Sequence, residues 1–310
     1  MSDVVHKTIS VIICTKDRLD DFKETIVSLS KQTRLPDEMV VVDSSENENI
    51  HSYLKSVEIP FVWSYFHTVP GLTHQRNVGI EKSSGDLLFF FDDDVDLEHE
   101  YIGLIEKTFK GDLLSNIGAV GGRIINPQQV KRMTLMFWLK RKFFNTLRHV
   151  FMQSDFGNGQ FRYSGMPSHP HLSKTSGYIE CLSGCCMAFR REVFRGAQFD
   201  ENLSGYGCME DADISKQVLN AGYKIYYSAS ATLVHKVSPQ DRLKIGQLAE
   251  MTVINYAYLF RKNWPQNLLR RISFFWTLLG LFLINGHSLS GRRGVINGVM
   301  GALLRQKDQH

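Results

Sequence analysis

The run Leu87-Leu88-Phe89-Phe90-Phe91-Asp92-Asp93-Asp94-Val95-Asp96 constrains this chain more than any other segment. Five apolar residues stop at three carboxylates, and a fourth follows two positions later. The apolar half reads as a buried strand. The acidic half is unstable if buried alone, because like charges repel and are costly to desolvate. A cation resolves the conflict. Hard divalent ions take oxygen ligands and sit between carboxylates and substrate phosphates. Alternate residues of an extended strand share a face, so Asp92 and Asp94 are expected to point the same way.

The rest of the chain supplies a framework for such a site. With 310 residues, 43% apolar and 22% charged, it can build a real core and is not a disordered chain. Thr8 to Cys14 reads as a buried strand with a polar exit at Thr15-Lys16-Asp17-Arg18. Asp20 or Asp21 is expected to cap a helix running to about Ser30. A second strand, Glu38 to Val42, ends at Asp43-Ser44-Ser45, and a third is expected over Phe61 to Phe66. Gly71 and Thr73 introduce a helix to about Ser83 that carries Arg76 and Asn77. Strand, helix, strand, helix, strand implies an α/β fold with a mostly parallel central sheet. Ligands of open α/β sheets bind at the carboxyl edge, where Asp17, Asp43 and Asp92 all follow apolar strands.

Further along, the pattern predicts a helix over 98–109, a strand over 117–122, an apolar strand from Cys181 to Phe189, a helix over 210–219 and a strand over 223–227. Segment 152–178, with Gly157, Gly159, Gly165, Pro167 and Pro170, reads as irregular. Five cysteines (Cys14, Cys181, Cys185, Cys186 and Cys208) form no disulfide framework and lack zinc-ligand spacing. They fit a reducing cytosolic setting.

Five ordered signals carry a resemblance: Ile12 through Arg18, Val41 through Ser45, Gly71 through Asn77, Asp92-Asp93-Asp94, and Glu210-Asp211-Ala212-Asp213. Over roughly residues 8–237 the chain resembles an inverting nucleotide-sugar glycosyltransferase of family 2, rhamnosyltransferase-like or of exopolysaccharide type. The resemblance implies a GT-A fold: a catalytic domain over 1–237, with a donor half over about 8–125 and an acceptor half over about 126–237. A helical region over 238–310 would follow it, with amphipathic helices and potential membrane association.

The resemblance also implies roles. Thr15, Asp17, Arg18 and Asp43 would surround the donor nucleotide, Asp43 accepting a hydrogen bond from its base. Arg76 would meet the diphosphate or organise the carboxylates. Asp92 would face the ribose, Asp93 would bind ribose or support the loop, and Asp94 would hold Mg²⁺ or Mn²⁺ beside the diphosphate. His235, after the apolar run 231–234, would reach the metal or diphosphate. Asp211 would be the general base, with Glu210 orienting the acceptor or supporting the loop and Asp213 behind them. Gly205 and Gly207 would permit an approach loop. His169 and His171, in Ser168-His169-Pro170-His171, read as a plain exposed loop, with a mobile acceptor loop as the alternative.

Charge distribution points to the acceptor. The net charge is +4, yet 131–148 holds six Lys or Arg and 251–307 holds eight, with no acid in either. Leu139, Phe143 and Leu147 recur at four-residue spacing beside Lys140, Arg141, Lys142 and Arg148. Trp264 and the apolar run 272–284, preceded by Arg261, Lys262, Arg270 and Arg271, form a second candidate interface segment. Thirteen apolar-rich residues are too few to span a bilayer, which needs about 20. The expectation is a peripheral or monotopic enzyme on the cytoplasmic face of an anionic membrane, acting on a glycan or polyprenyl-diphosphate-linked acceptor, and compatible with homo-oligomerisation. No nucleic-acid motif accompanies the basic charge. The competing readings are a metal-dependent nucleotidyltransferase and a non-catalytic nucleotide- or glycan-binding protein. A processive synthase is disfavoured by the lack of a multi-span region and of a Gln-x-x-Arg-Trp motif.

Overall fold

The computed structural model describes residues 7–125, 135–153, 158–170, 173–203, 207–237, 243–284 and 288–307, without the side chains of 135–141 and 305–307. Gly157, Gly205, His171, Lys131 and Arg132, and the side chains of Leu139, Lys140 and Arg141, lie outside the described residues. The chain forms two compact units: 1–127 with 173–238, and 128–172 with 239–310. Segment 128–172 therefore belongs to the same unit as the C-terminal helices.

The first unit is built on one sheet. Strands β1 (Ile9–Thr15), β2 (Glu38–Asp43), β3 (Val62–His67) and β4 (Leu87–Asp92) run parallel in the order β3-β2-β1-β4. The sheet continues through β8 (Cys186–Arg190), β6 (Ile117–Ile124), β9 (Lys224–His235) and β5 (Val95–Leu97), with β7 (Gly177–Ile179) pairing on β9. β8 is antiparallel to both β4 and β6, so the sheet is mixed beyond β4. Register places Thr15 opposite Asp43 and Cys14 opposite Asp92. The polar exits thus share one edge.

Strand alternation assigns the two faces. Ile9, Val11 and Ile13 with Leu87, Phe89 and Phe91 pack among Phe22, Leu29, Ile102 and Ile105. These come from helices α1 (Leu19–Ser30) and α4 (Tyr101–Gly111), and α2 (Asn49–Ser56) adds Ile50 and Leu54. Ile12, Leu88 and Phe90 point to the other face, with Phe189, Phe199, Ile214 and Val218. Helices α3 (Leu72–Lys82) and α6 (Glu210–Asn220) supply the polar side chains near the sheet edge. A Cβ on Gly79 would sit 2.4 Å from Ile12 Cγ2, so glycine lets α3 lie directly on β1. Asp92 continues the Leu88 and Phe90 face, which aims it toward α3 and α6.

Several expectations are corrected. Asp20 and Asp21 do not cap α1: its N-cap is Arg18, and both aspartates sit in the first turn, where the helix dipole favours them. The expected strand over 181–189 begins only at Cys186, because Cys181 to Cys185 turn toward α6. The strand expected over 223–227 and the apolar run before His235 are one continuous strand of 12 residues. Asp93 and Asp94 leave the strand and form a turn. The Thr25 hydroxyl of α1, fully buried, lies 2.8 Å from Asp93 O and 2.9 Å from Val95 O, and accepts Val95 N–H at 3.1 Å. One side chain thereby staples the acidic turn to α1.

The second unit comprises α5 (Leu135–Val150), α7 (Ile245–Asn263), α8 (Leu268–Ile284) and α9 (Leu289–Lys307). α7 ends before Pro265, whose ring forces Trp264 into extended backbone. α9 packs on α7 through glycines: a Cβ on Gly294 would lie 2.1 Å from Gly246 O, and one on Gly298 2.7 Å from Glu250 O. Among the described residues no helix is long and apolar enough to cross a membrane.

Thr25→Val keeps the shape of the side chain and deletes its hydroxyl. Leaving the buried Val95 N–H without this acceptor costs roughly 1–3 kcal/mol. Urea unfolding should show a lower midpoint at unchanged slope, and Thr25→Ser should recover most of the loss.

Candidate active site

Strand pairing closes a cluster of acids. β5 returns from the Asp93–Asp94 turn and pairs antiparallel with β9, placing Val95 opposite His235. Lys236 N–H then donates to Asp94 O at 3.0 Å. His235 Nε2 lies 3.0 Å from Asp94 Oδ1 and 3.8 Å from Asp92 Oδ2. One ligand atom from each of Asp92, Asp94 and His235 fits within a 4.8 Å span. Asp92 and Asp94 converge through the turn, not through strand alternation.

The electrostatics fit a cation. Burial disfavours a charged His235 ring, yet Asp94, Cys185 and Asp92 hold its pKa up to about 11. A proton therefore sits where the carboxylates demand positive charge. A divalent ion there would be held by two carboxylates and a neutral imidazole, a set that suits Mn²⁺ or Mg²⁺ in its oxygens and accepts one nitrogen.

Arg18 carries the second layer. Its Nη1 donates to Asp93 Oδ1 at 2.7 Å and its Nη2 to Asp94 Oδ2 at 3.0 Å. Thr15 Oγ1 donates to Asp93 Oδ2 at 2.8 Å. Burial pushes Asp93 up to about 7, against the pull of Arg18 and Thr15. Asp93 is thus held by Thr15 at the end of β1 and Arg18 at the start of α1.

Arg76 joins the acidic turn to α6. It is 2% exposed and bridges Glu210 Oε1 at 2.7 Å, Asp92 Oδ1 at 3.3 Å and Gly184 O at 2.9 Å. Burial and the neighbouring Asp211 charge push Glu210 up to about 7, with Arg76 opposing. Asp211 Oδ2 accepts the Gly184 N–H at 3.1 Å, and its Oδ1 accepts the Ala212 N–H at 2.8 Å. Met209 precedes α6 with φ 72°, a left-handed conformation costly for a bulky residue. That turn sets Glu210 and Asp211 in the first turn of the helix.

Asp43 and Asp17 form a separate group. Asp43 is fully buried, accepting from Ser45 N–H at 2.8 Å, Ser45 Oγ at 2.5 Å and Tyr65 Oη at 2.9 Å. Ser45 Oγ also receives the Asp17 N–H at 2.7 Å, and Asp17 adopts φ 53°. Tyr65 stacks on His51 with ring centres 4.3 Å apart and planes 4° from parallel. Asp213 is fully buried on the inner side of α6, accepting from Gln217 Nε2 at 2.8 Å. Asp96 faces outward on β5.

Two residues escaped the sequence reading. Gly184 contributes both its carbonyl to Arg76 and its N–H to Asp211, and a Cβ there would lie 2.6 Å from Glu210 Oε1. The Ser183-Gly184 pair inside an apolar run was its one signal. Gln75, inside the Gly71–Asn77 signal but given no role there, donates to Thr15 O at 3.0 Å and Val42 O at 2.9 Å, tying two strand exits together.

Mn²⁺ or Mg²⁺ should raise the melting temperature of the wild-type protein. At one hundred times Kd, binding stabilises by about 2.7 kcal/mol. Asp94→Asn and His235→Ala should each abolish most of that shift while leaving the metal-free melting temperature readable as a folding control.

Comparison with known proteins accords with this geometry. Residues 10–196 match the profile of Glycosyl transferase family 2. The O-antigen biosynthesis protein RfbC of Myxococcus xanthus is 23% identical over 253 residues, which is 76% of this chain and 18% of that protein. A glucosyl-dolichyl phosphate glucuronosyltransferase of Haloferax volcanii is 31% identical over 133 residues, 42% of each. The chain thus spans less than half the length of these two relatives. The mannosyltransferase PcManGT from Pyrobaculum calidifontis, in complex with GDP-Man and Mn²⁺, superposes with a TM-score of 0.60 at 14% identity, covering 97% of this chain and 88% of that one. The mixed sheet flanked by helices has the GT-A architecture. With the profile matched across more than half of its length, this chain belongs to glycosyl transferase family 2.

Proposed function

We propose that this protein transfers one sugar, with inversion, from a nucleoside-diphosphate sugar to a hydroxyl of a glycan or lipid-linked glycan in surface-polysaccharide biosynthesis. It would work as a peripheral protein on the cytoplasmic face of the membrane. The observation that carries the reading is Arg76, whose buried guanidinium links Asp92 of the acidic turn to Glu210 at the head of the helix bearing Asp211. A donor side and a base side are thereby held as one electrostatic unit. The similarity to the O-antigen biosynthesis protein RfbC supports the pathway class.

In this reading Asp211 accepts the proton of the acceptor hydroxyl as its oxygen bonds to the anomeric carbon. The bond from that carbon to the diphosphate oxygen breaks on the opposite face. A divalent ion held by Asp92, Asp94 and His235 would neutralise charge on the departing nucleoside diphosphate. Arg18 keeps Asp93 and Asp94 in place through two hydrogen bonds. Asp17, Asp43 and Thr15 line the strand exits where the nucleoside would lie, Asp43 shaping that region through Ser45 and Tyr65.

The test is a panel of nucleoside-diphosphate sugars with Mn²⁺ or Mg²⁺, lipid extracts as acceptors, and mass spectrometry of products. A mass gain of one sugar is expected; a gain of a nucleoside monophosphate would replace this reading with nucleotidyl transfer. Asp211→Asn should lower transfer about 10²–10⁴-fold, with nucleoside-diphosphate binding within about twofold of wild type. Near-normal turnover in that variant would reject Asp211 as the base. Gly184→Ala should lower kcat more than it raises the donor KM, because the added methyl displaces Glu210 from Arg76 and disturbs the Asp211 contact.

A further inference from the structure

Helix α8 is apolar on the wrong side. Its buried stripe is Ser273, Phe274, Thr277, Gly280 and Ile284. Its outward stripe is Leu268, Ile272, Phe275, Trp276, Leu279 and Leu283, which are 40–73% exposed. At 3.6 residues per turn these six occupy about one third of the circumference with no polar residue among them. A helix in water has the reverse arrangement. α9 repeats the inversion: Gly294, Val295 and Gly298 face inward, while Leu289, Ile296, Met300, Leu303 and Leu304 are 48–76% exposed. Close glycine contacts between α7 and α9 are the packing used where burial of apolar surface gives no driving force between helices.

We infer that the outward faces of α8 and α9 dock on an anionic lipid bilayer, with the apolar stripes seated at the boundary between headgroups and acyl chains. Charge identifies the occupant. Exposed Arg271, Arg292 and Arg293 stand on these two helices, and no acid occurs from 251 to 307. An isologous second copy would bring like charges together with nothing to neutralise them. Anionic headgroups attract them at about 1 kcal/mol per basic residue near the surface. Seventeen residues give α8 a length of about 25 Å, below the roughly 30 Å of a hydrocarbon core, so it lies in the interface instead of spanning it. This deepens the lipid-linked acceptor reading by naming the surface that meets the lipid, and it rests on that reading only for its biological purpose.

The experiment is vesicle flotation of the full chain without donor or metal, so failure of docking and failure of transfer are separately visible. Vesicles of phosphatidylcholine alone are compared with phosphatidylcholine containing phosphatidylglycerol. Binding to the anionic vesicles, weakened at least about tenfold by Phe275→Asp with Leu279→Asp and reduced by Arg271→Gln with Arg292→Gln and Arg293→Gln, is the expected result. Both sets lie on exposed positions, and circular dichroism with nucleoside-diphosphate binding checks their fold. Absence of binding to either vesicle, or binding unchanged by the aspartates, would overturn the inference. So would a dimer in light scattering that the Phe275→Asp, Leu279→Asp variant dissolves, because the stripe would then belong to a second copy. Equal binding to both vesicles would overturn the anionic preference.

Discussion

Three adjacent aspartates at a strand end can exist only where each meets positive charge, and this constraint organises the first unit. Asp92 meets Arg76 from α3, Asp93 and Asp94 meet Arg18 at the head of α1, and Asp94 meets His235 from the end of β9. Each cation comes from a different element. Buried guanidiniums pay a desolvation penalty that only well-made ion pairs offset, and removing one partner leaves the other charge stranded. The sheet order is what makes the pairing geometrically available. β9 must return beside β5 for His235 to arrive, and α3 must lie close on β1, as Gly79 allows, for Arg76 to reach Asp92.

β1, β2 and β4 were legible because they are buried on both faces and read as largely apolar runs. Thr15, Asp43 and Asp92 share an edge as expected, since parallel register aligns strand ends. The polar cluster was legible where residue type forced it: three carboxylates in a row need cations. What failed was geometry that depends on contacts distant in sequence. The Asp93–Asp94 turn is set by Thr25, some seventy positions earlier, and no local pattern marks that hydroxyl. Cys181 to Cys185 looks like strand by composition, but Leu182 N–H bonds Ser215 Oγ and Gly184 bonds Asp211, so α6 takes the backbone groups a sheet neighbour would have used. For Gly184 the only local sign is the Ser183-Gly184 break in an apolar run, because a glycine acting through its own backbone has no side-chain signature.

The second unit obeys different rules from the first. It holds 17 Lys or Arg against four Asp or Glu, whereas the first is net acidic. Helix α8 buries Ser273, Thr277 and Gly280 beside Phe274 and Ile284, and leaves Leu268, Ile272, Phe275, Leu279 and Leu283 exposed. Phe260, Phe274 and Tyr256 are buried between the helices of this unit. Trp276 is held at the surface of this unit: its ring packs against Phe151, its indole N–H donates to Val150 O, and part of the ring remains outward.

Adjacent Glu210 and Asp211 show how one helix terminus separates two carboxylates. Glu210 is neutralised by a formal positive charge on Arg76 at 2.7 Å, and burial raises its affinity for a proton. Asp211 accepts the backbone N–H groups of Gly184 and Ala212. Backbone donors fix the direction of a carboxylate without setting an opposite formal charge beside it. The left-handed Met209 turn is the local cost of placing both acids in the same first turn, where one pairs with Arg76 and the other is oriented by two backbone N–H groups.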